Sequence, residues 1–405
     1  MASKLQDLIN RLCPNGVEYR KLGEVCSYAT ERIDSSSVSS HTYVGVESLL
    51  QDRCGRVDSF SVPSEGRVIA FKPGDVLVGN IRPYLKKIWL SDIDGGTNGD
   101  VLVFQIHDRG KLLPRFLYQV LASDSFFAFD MQYAKGSKMP RGDKEAVLKY
   151  EIPVPPLEVQ SEIVQILDNF AELTAELTAE LEKRKKQYEH YRRALLCGVE
   201  SSELRVESSG WPMVKLGDVC KFVYGFTDKA KDSGNARFIR ITDITEDGHL
   251  DPNGAKYITL SCDAKKYLVS TGDLLMARTG ATYGKPLYVD SDAPAVYASF
   301  LIKIVPDNKR LMNRYYWHFS QSGLYWEQAN RLVTVGGQPQ FNTGAISQVT
   351  IPLPPLAEQR RIVSILDRFD RLCNDLTSGL PAEIAARKKQ YAYYRDKLLE
   401  LRVGS

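Results

Sequence analysis

Four short stretches carry the side chains best suited to chemistry. NIRPYLKK supplies Asn80, Arg82, Tyr84, Lys86 and Lys87. YAKGSKMPRGD supplies Lys135, Ser137, Lys138 and Arg141. RTGATYGK supplies Arg278, Thr279, Tyr283 and Lys285, and VTVGGQPQFN supplies Gln338, Gln340 and Asn342. Lysines and backbone N–H groups on such glycine-rich loops suit phosphate contacts. Arg, Asn and Gln suit the edges of bases. Any one of these residues is as readily a solvated surface side chain. What sets them apart is recurrence: a GDVL strand precedes the first stretch and GDLL the third, and Pro140 aligns with Pro339. The same kinds of side chain recur at equivalent places in two strongly diverged segments.

Other chemistry finds no support. GATYGKP at 280–286 lacks the spacing of a phosphate loop and has Pro286 where a magnesium-binding hydroxyl belongs. NIRPY is not the Asn-Pro-Pro-Tyr motif of amino-methyltransferases, and no glycine-rich cofactor loop opens a βαβ unit. His41, His107, His190, His249 and His318 show no metal spacing. No GxSxG elbow is present.

The elements that position these loops are repeated. IPVPPLEVQSEIVQILDNF at 152–170 aligns without a gap on IPLPPLAEQRRIVSILDRF at 351–369, with 12 of 19 positions identical. RKKQYEHYRRALL at 184–196 matches RKKQYAYYRDKLL at 387–399 at 9 of 13. KLGEVC at 21–26 matches KLGDVC at 215–220, so the duplication embraces whole domains.

Prolines force an extended approach, and a helix follows. Leu167, Leu181 and Tyr188 share one row of a seven-residue seam, and Phe170, Leu177 and Tyr191 the other. Leu366, Phe369, Leu376, Tyr391 and Tyr394 make the matching stripe of the second copy. The spacing predicts an antiparallel two-helix coiled coil within one chain. Two separate amphipathic helices are the alternative. AELTAELTAEL at 171–181 repeats every four residues, so its leucines drift only about 40° per step. The second copy is four residues longer there and contains Ser378-Gly379-Leu380-Pro381, a break near 379–381.

The fold expected is therefore α+β: two mixed α/β domains joined by a two-helix antiparallel coiled coil, with an internal pseudo-twofold repeat. Domain one spans 1–151 with a short N-terminal helix. A long helix spans 152–197, domain two 198–350, and a second helical region 351–405. Strands are expected at 41–46, 68–71, 76–78, 101–106, 238–241, 274–277, 287–289 and 300–305, and single helices at 114–129 and 313–330.

At 405 residues, 43% hydrophobic and 25% charged, the chain reads as an ordinary globular protein. No apolar run is long enough for a membrane span, and the N-terminus does not read as a signal peptide. Seven scattered cysteines without a CxxC pair fit a reducing cytoplasm. The net charge of +3 is compatible with clustered basic groups.

These motifs together, IP[VL]PPL…Q..IV.ILD.F, the TAEL repeat and RKKQY..YR, resemble the specificity subunit of type I restriction–modification enzymes, with an IC-like helical region. The resemblance covers essentially the whole chain. It implies a non-catalytic subunit whose two target-recognition domains each read half of a bipartite, asymmetric site in double-stranded DNA. It implies helices that set the spacer and dock two modification subunits, which carry S-adenosylmethionine and methylate adenine. Two restriction subunits would add ATP- and magnesium-dependent translocation and cleavage, and the chain itself would hold no cofactor or metal. The DNA-contacting residues named above are chosen by chemistry and loop position. Two other readings stay open at this point: a stand-alone enzyme, and a coiled-coil adaptor that binds proteins.

Overall fold

The structure, a computed structural model, describes residues 2–198, 210–334, 339–375 and 377–401. It divides into two units, Met1–Leu177 with Ile384–Ser405, and Thr178–Glu383. Among the described residues no helix is long and apolar enough to cross a membrane.

The first unit holds α1 (Ala2–Leu12), β1 (Tyr19–Lys21), α2 (Leu22–Val25), β2 (Cys26–Tyr28), β3 (Arg32–Asp34), β4 (Tyr43–Val44), β5 (Arg67–Phe71) and β6 (Val76–Gly79). It continues with β7 (Ile88–Leu90), β8 (Gly95–Thr97), β9 (Val101–Ile106), α3 (Pro114–Leu121), α4 (Asp124–Tyr133), α5 (Lys144–Val147) and β10 (Glu151–Pro153). A single helix, α6 (Leu157–Cys197), contributes its first part to this unit and its last part to the second. The second unit adds β11 (Met213–Lys215), β12 (Cys220–Tyr224), β13 (Ala236–Ile239), β14 (Tyr257–Ile258), β15 (Leu268–Val269), β16 (Leu274–Ala277) and β17 (Pro286–Tyr288). After β18 (Ala295–Tyr297) and β19 (Leu301–Pro306) come α7 (Asn313–Ser320), α8 (Gly323–Leu332), α9 (Thr343–Gln348), β20 (Thr350–Pro352) and α10 (Leu356–Asn374). The last helix, α11 (Leu380–Leu399), belongs to the first unit from Ile384 onward.

Each unit is built the same way. One four-stranded antiparallel sheet runs β2-β9-β6-β7 in the first and β12-β19-β16-β17 in the second. A second sheet shares three strands, β5-β8-β4 and β15-β18-β13, with one parallel pairing in each. Its fourth strand differs. β3 adds outside β5, whereas β14 adds beside β13, at the opposite edge.

The duplicated landmarks meet in space. β1 pairs antiparallel with β10, Arg20 opposite Ile152, and β11 pairs with β20, Val214 opposite Ile351. The KLG motif thus follows a strand that zips onto the proline lead-in. The glutamine of the repeat then locks the helix start. Gln160, buried, accepts from Leu113 N and donates to the carbonyls of Lys111 and Pro155. Gln359 does the same with Met312, Arg310 and Pro354. A buried amide with its bonds made fixes the chain's direction there.

The single helices expected at 114–129 and 313–330 are each two. Ser123 and Ser322 end one helix and cap the next, accepting from Phe126 N and Tyr325 N. A serine hydroxyl competes for backbone groups, so an otherwise apolar helical run breaks there.

The helix seams pack within each unit. In the first, Leu167 is buried and Phe170 stacks on Tyr394, ring centres 5.3 Å apart. Tyr391 donates to Gln119 Oε1 at 3.2 Å, and Leu177 is half-buried. In the second, Tyr188 and Tyr191 stack on Phe369 at 5.8 and 5.4 Å, with Leu366 buried and Leu181 against the same core. Further along α10, Cys373 is buried in the same core. Between α10 and α11, Asp375 accepts from Thr377 and Ser378, which closes the turn. Leu376 lies outside the described residues.

Candidate nucleic-acid interface

In each unit the two loops singled out above are stitched together by backbone hydrogen bonds, in the same register. In the first, Arg82 N donates to Pro140 O at 2.7 Å and Gly142 N to Asn80 O at 3.1 Å. Arg141 pairs with Ile81 on one side and with Lys135 on the other. In the second, Gly280 N donates to Pro339 O at 3.1 Å and Phe341 N to Arg278 O at 2.8 Å. Gln340 pairs with Thr279 and with Thr334. The crossing grows from the end of β6 or β16. Asn80 N bonds Asp100 O and Arg278 N bonds Phe300 O, just before β9 and β19.

On this common frame the side chains differ. Arg82 and Tyr84 are exposed, as are Ser137 and Lys138 at the tip of their loop. Lys135 pairs with Asp143 at 2.6 Å and Arg141 with Asp100 at 3.2 Å, both cations largely exposed. Exposed pairs of this kind contribute little, so a phosphate can displace the acid at small cost. Lys86 and Lys87 are tied to the fold. Lys86 Nζ donates to Asp124 Oδ1 at 2.6 Å and Lys87 Nζ to Val46 O at 2.7 Å. Burial pushes the Asp124 carboxyl up, but Lys86 and Arg53 outweigh it and hold the group at about 2. Burial lowers the Lys87 ammonium. Asn80 is buried beneath the crossing.

In the second unit Arg278 is half-buried. Its Nε donates to Ser299 O at 2.9 Å, and its guanidinium lies 5.2 Å from the Tyr224 ring centre and 5.7 Å from that of Phe300. With Nε occupied and the plane held by two rings, its two terminal nitrogens form a fixed donor pair. Tyr224 and Phe300 are themselves exposed. Sequence reasoning missed both, although an exposed aromatic beside an Arg-bearing loop is a stacking platform. Thr279 is buried, Tyr283 donates to Asn330 Oδ1 at 2.8 Å, and Lys285 is half-buried. Gln340 sits in the crossing, and Asn342 caps α9 by accepting from Ala345 N. Gln338 lies outside the described residues.

Backbone strain separates the units further. Arg82 and Lys86 adopt left-handed conformations, φ 53° and 49°. At the same places the second unit has Gly280 and Gly284, φ 71° and 76°. A side chain costs roughly 1–2 kcal/mol in that region and glycine nothing. Such strain clusters at functional sites.

Comparison with known proteins adds to this geometry. The family described as "Type I restriction modification DNA specificity domain" matches twice, at residues 14–184 and 208–386. A Haemophilus influenzae chain named as a type I restriction enzyme specificity subunit is 33% identical over 316 residues, covering 73% of this chain and 74% of that one. The EcoR124I/EcoR124II specificity subunit of Escherichia coli is 35% identical over 268 residues, covering 62% of each. A solved structure from work on complex assembly and conformational transition of the type I R-M system is 25% identical, with a TM-score of 0.64, covering 95% of this chain and 98% of that one. The HsdS subunit from Thermoanaerobacter tengcongensis shares the fold at 24% identity, with a TM-score of 0.50, covering 95% and 97%.

Proposed function

Because the chain belongs to the type I restriction–modification DNA specificity family, we propose that each unit reads one half of a bipartite, asymmetric double-stranded DNA site through its stitched loop pair. As a specificity subunit the chain is the DNA-recognition component of its system and not an enzyme. One observation carries the reading of separate half-sites. The same backbone crossing occurs in both units but presents Arg82 and Arg141 in one, and Arg278 and Gln340 with flanking aromatics in the other. One frame with two sets of donors suits two unlike sequences.

The rest of the assembly follows as part of the same proposal. Two modification subunits, which bind S-adenosylmethionine and methylate adenine, dock on the helical regions. Two restriction subunits bring ATP and magnesium, and this chain holds none of these groups. The complex acts in the cytoplasm, and α6 sets the gap between half-sites.

Two substitutions test the reading, assayed by methylation mapping of the assembled complex. Arg82→Gly places the second unit's residue in the first and relieves the left-handed strain, so folding is retained. It is expected to weaken recognition of the first half-site alone. Arg278→Ala is expected to relax one position of the other half-site, at about 1–3 kcal/mol. Equal loss across all sequences marks a phosphate contact instead. No change with either substitution rejects the loop pair as the reader.

A further inference from the structure

Beneath the first unit's crossing lies a polar hollow that the second unit lacks. Asn80 and Asp130 are both nearly inaccessible, 5% and 1% exposed. Asn80 Oδ1 and both carboxylate oxygens of Asp130 have no hydrogen-bond partner. Gly142 leaves room for them: a Cβ there would collide with Asp130 Oδ1 and stand 2.8 Å from Asn80 Oδ1. Two buried acceptors therefore converge behind one glycine with no donor between them. At the corresponding places the second unit has Arg278, Ala329 and Phe341, and the last two pack in hydrocarbon. Ser123 and Ser322 fix this correspondence, since each caps its helix seven residues before Asp130 or Ala329.

Acceptors that converge without a donor are costly, and one proton resolves the conflict. We propose that Asp130 is a positioning residue: carrying a proton, it donates to the Asn80 side-chain carbonyl, and this pair braces the crossing that aims Arg82 and Arg141. The proposal rests on the reading that the crossing faces DNA. The surroundings favour the protonated acid. Of the titratable groups, Tyr28 on β2 feels its charge, and Arg141 and Asp143 flank the Gly142 that packs on it. Arg141 is paired with Asp100, Lys135 with Asp143, and the Tyr28 hydroxyl with Lys144 O. None of these bonds reaches the carboxylate, and burial pushes it up to about 6.

Backbone amide exchange on the full chain, without DNA, reads the brace directly. Arg82 N–H and Gly142 N–H close the crossing, and Gly280 N–H and Phe341 N–H are their counterparts. After correction for intrinsic rates, protection at Arg82 and Gly142 is expected to fall about tenfold from about pH 5 to about pH 8, with no change at Gly280 and Phe341. Asp130→Asn, which donates at every pH, is expected to remove the fall and keep protection high. Asp130→Ala is expected to give low protection throughout. A flat wild-type profile, or a fall that survives in Asp130→Asn, overturns the proposal. So does a crossing loosened by Asp130→Ala that leaves recognition of the first half-site unchanged while Arg82→Gly alters it. If the pH response holds but Arg82→Gly alters no recognition, the brace stands and the DNA-reading of this crossing fails instead.

Discussion

Replacing Arg314 by alanine is expected to destabilise the second unit by about 3–5 kcal/mol, the cost of removing the permanent counter-charge from buried Asp370 and half-buried Asp367. Arg314 on α7 holds two carboxylates of α10, Asp367 at 2.7 Å and Asp370 at 3.0 Å. Its guanidinium also lies 4.0 Å from the Trp317 ring centre and 4.7 Å from that of Tyr288. Asp367 further accepts from His318 Nε2 at 2.8 Å, and His318 Nδ1 meets the Tyr188 hydroxyl at 3.2 Å. Burial depresses His318 to about 4, so at neutral pH it is uncharged, donating through Nε2 and accepting through Nδ1.

Denaturant unfolding at fixed slope measures the loss. The first unit supplies the control. Arg115 and Asp168 make the corresponding pair in the open, with Ala171 where Asp370 stands, so Arg115→Ala is expected to cost less than about 1 kcal/mol. A cost for Arg314→Ala as small as that for Arg115→Ala contradicts this account.

The pH dependence has a definite sign. Burial pushes Asp367 and Asp370 up, but hydrogen bonds and the Arg314 charge leave both below the ordinary 3.8. Their contribution is present above that value and is lost as pH falls through the lowered one. His318, depressed from 6.5 to about 4, adds a contribution present above 6.5 and lost as pH falls towards 4. His249, 3.5 Å from Asp370, opposes this: burial lowers it, but Asp370 holds it above 6.5, so its contribution is present below 6.5 and lost as pH rises. The net acid loss therefore comes below that range, where Asp367, Asp370 and His318 take up protons, and the alanine variant is expected to respond less.

Deleting one TAEL unit is expected to move the recognition site itself. α6 is one helix of 41 residues, with half-buried positions at Phe170, Thr174, Leu177, Leu181 and Arg184. Removing four residues shortens a helix by about 6 Å and rotates it by about 40°. The repeat straddles Leu177 and Thr178, where one unit ends and the other begins, and the shortened repeat still places a leucine before Glu182, where Leu181 packs on the second core. At about 3.4 Å per base pair the preferred gap should shorten by about one to two base pairs. Methylation of the parental site should fall by about a hundredfold or more, because a helical spacer cannot stretch to restore the register. A variant that keeps the parental gap would show that α6 does not set it.

Much of this fold was legible in the sequence, because the duplication puts strong local signals at each domain end. The a/d rows named Leu167, Phe170, Tyr188, Leu366 and Phe369, and all five pack in helix seams. Long-range pairing was not legible. β1 and β10 are three residues each and far apart in sequence, and neither announces its partner. β8 contains two glycines and a threonine, a composition that reads as a turn. The helical breaks at Ser123 and Ser322 were hidden in apolar surroundings.

The candidate site was legible in outline only. Loop chemistry pointed to two loops in each unit that the fold joins, but not to their hydrogen-bonded register. It did not separate exposed Arg82 from Lys86 and Lys87, whose ammonium groups the fold itself occupies. Comparing the halves would have revealed more. Glycines at 280 and 284 against Arg82 and Lys86 mark strained positions, and Ala329 against Asp130 marks the polar hollow.

Genome-wide mapping of methylated adenines, in a host carrying this chain with its modification subunit, tests the central claim most directly. Two unlike half-sites separated by a constant gap of unread bases are predicted, with Arg82→Gly altering one half and Arg278→Ala the other. A continuous or palindromic site, or both substitutions altering the same half, would contradict it.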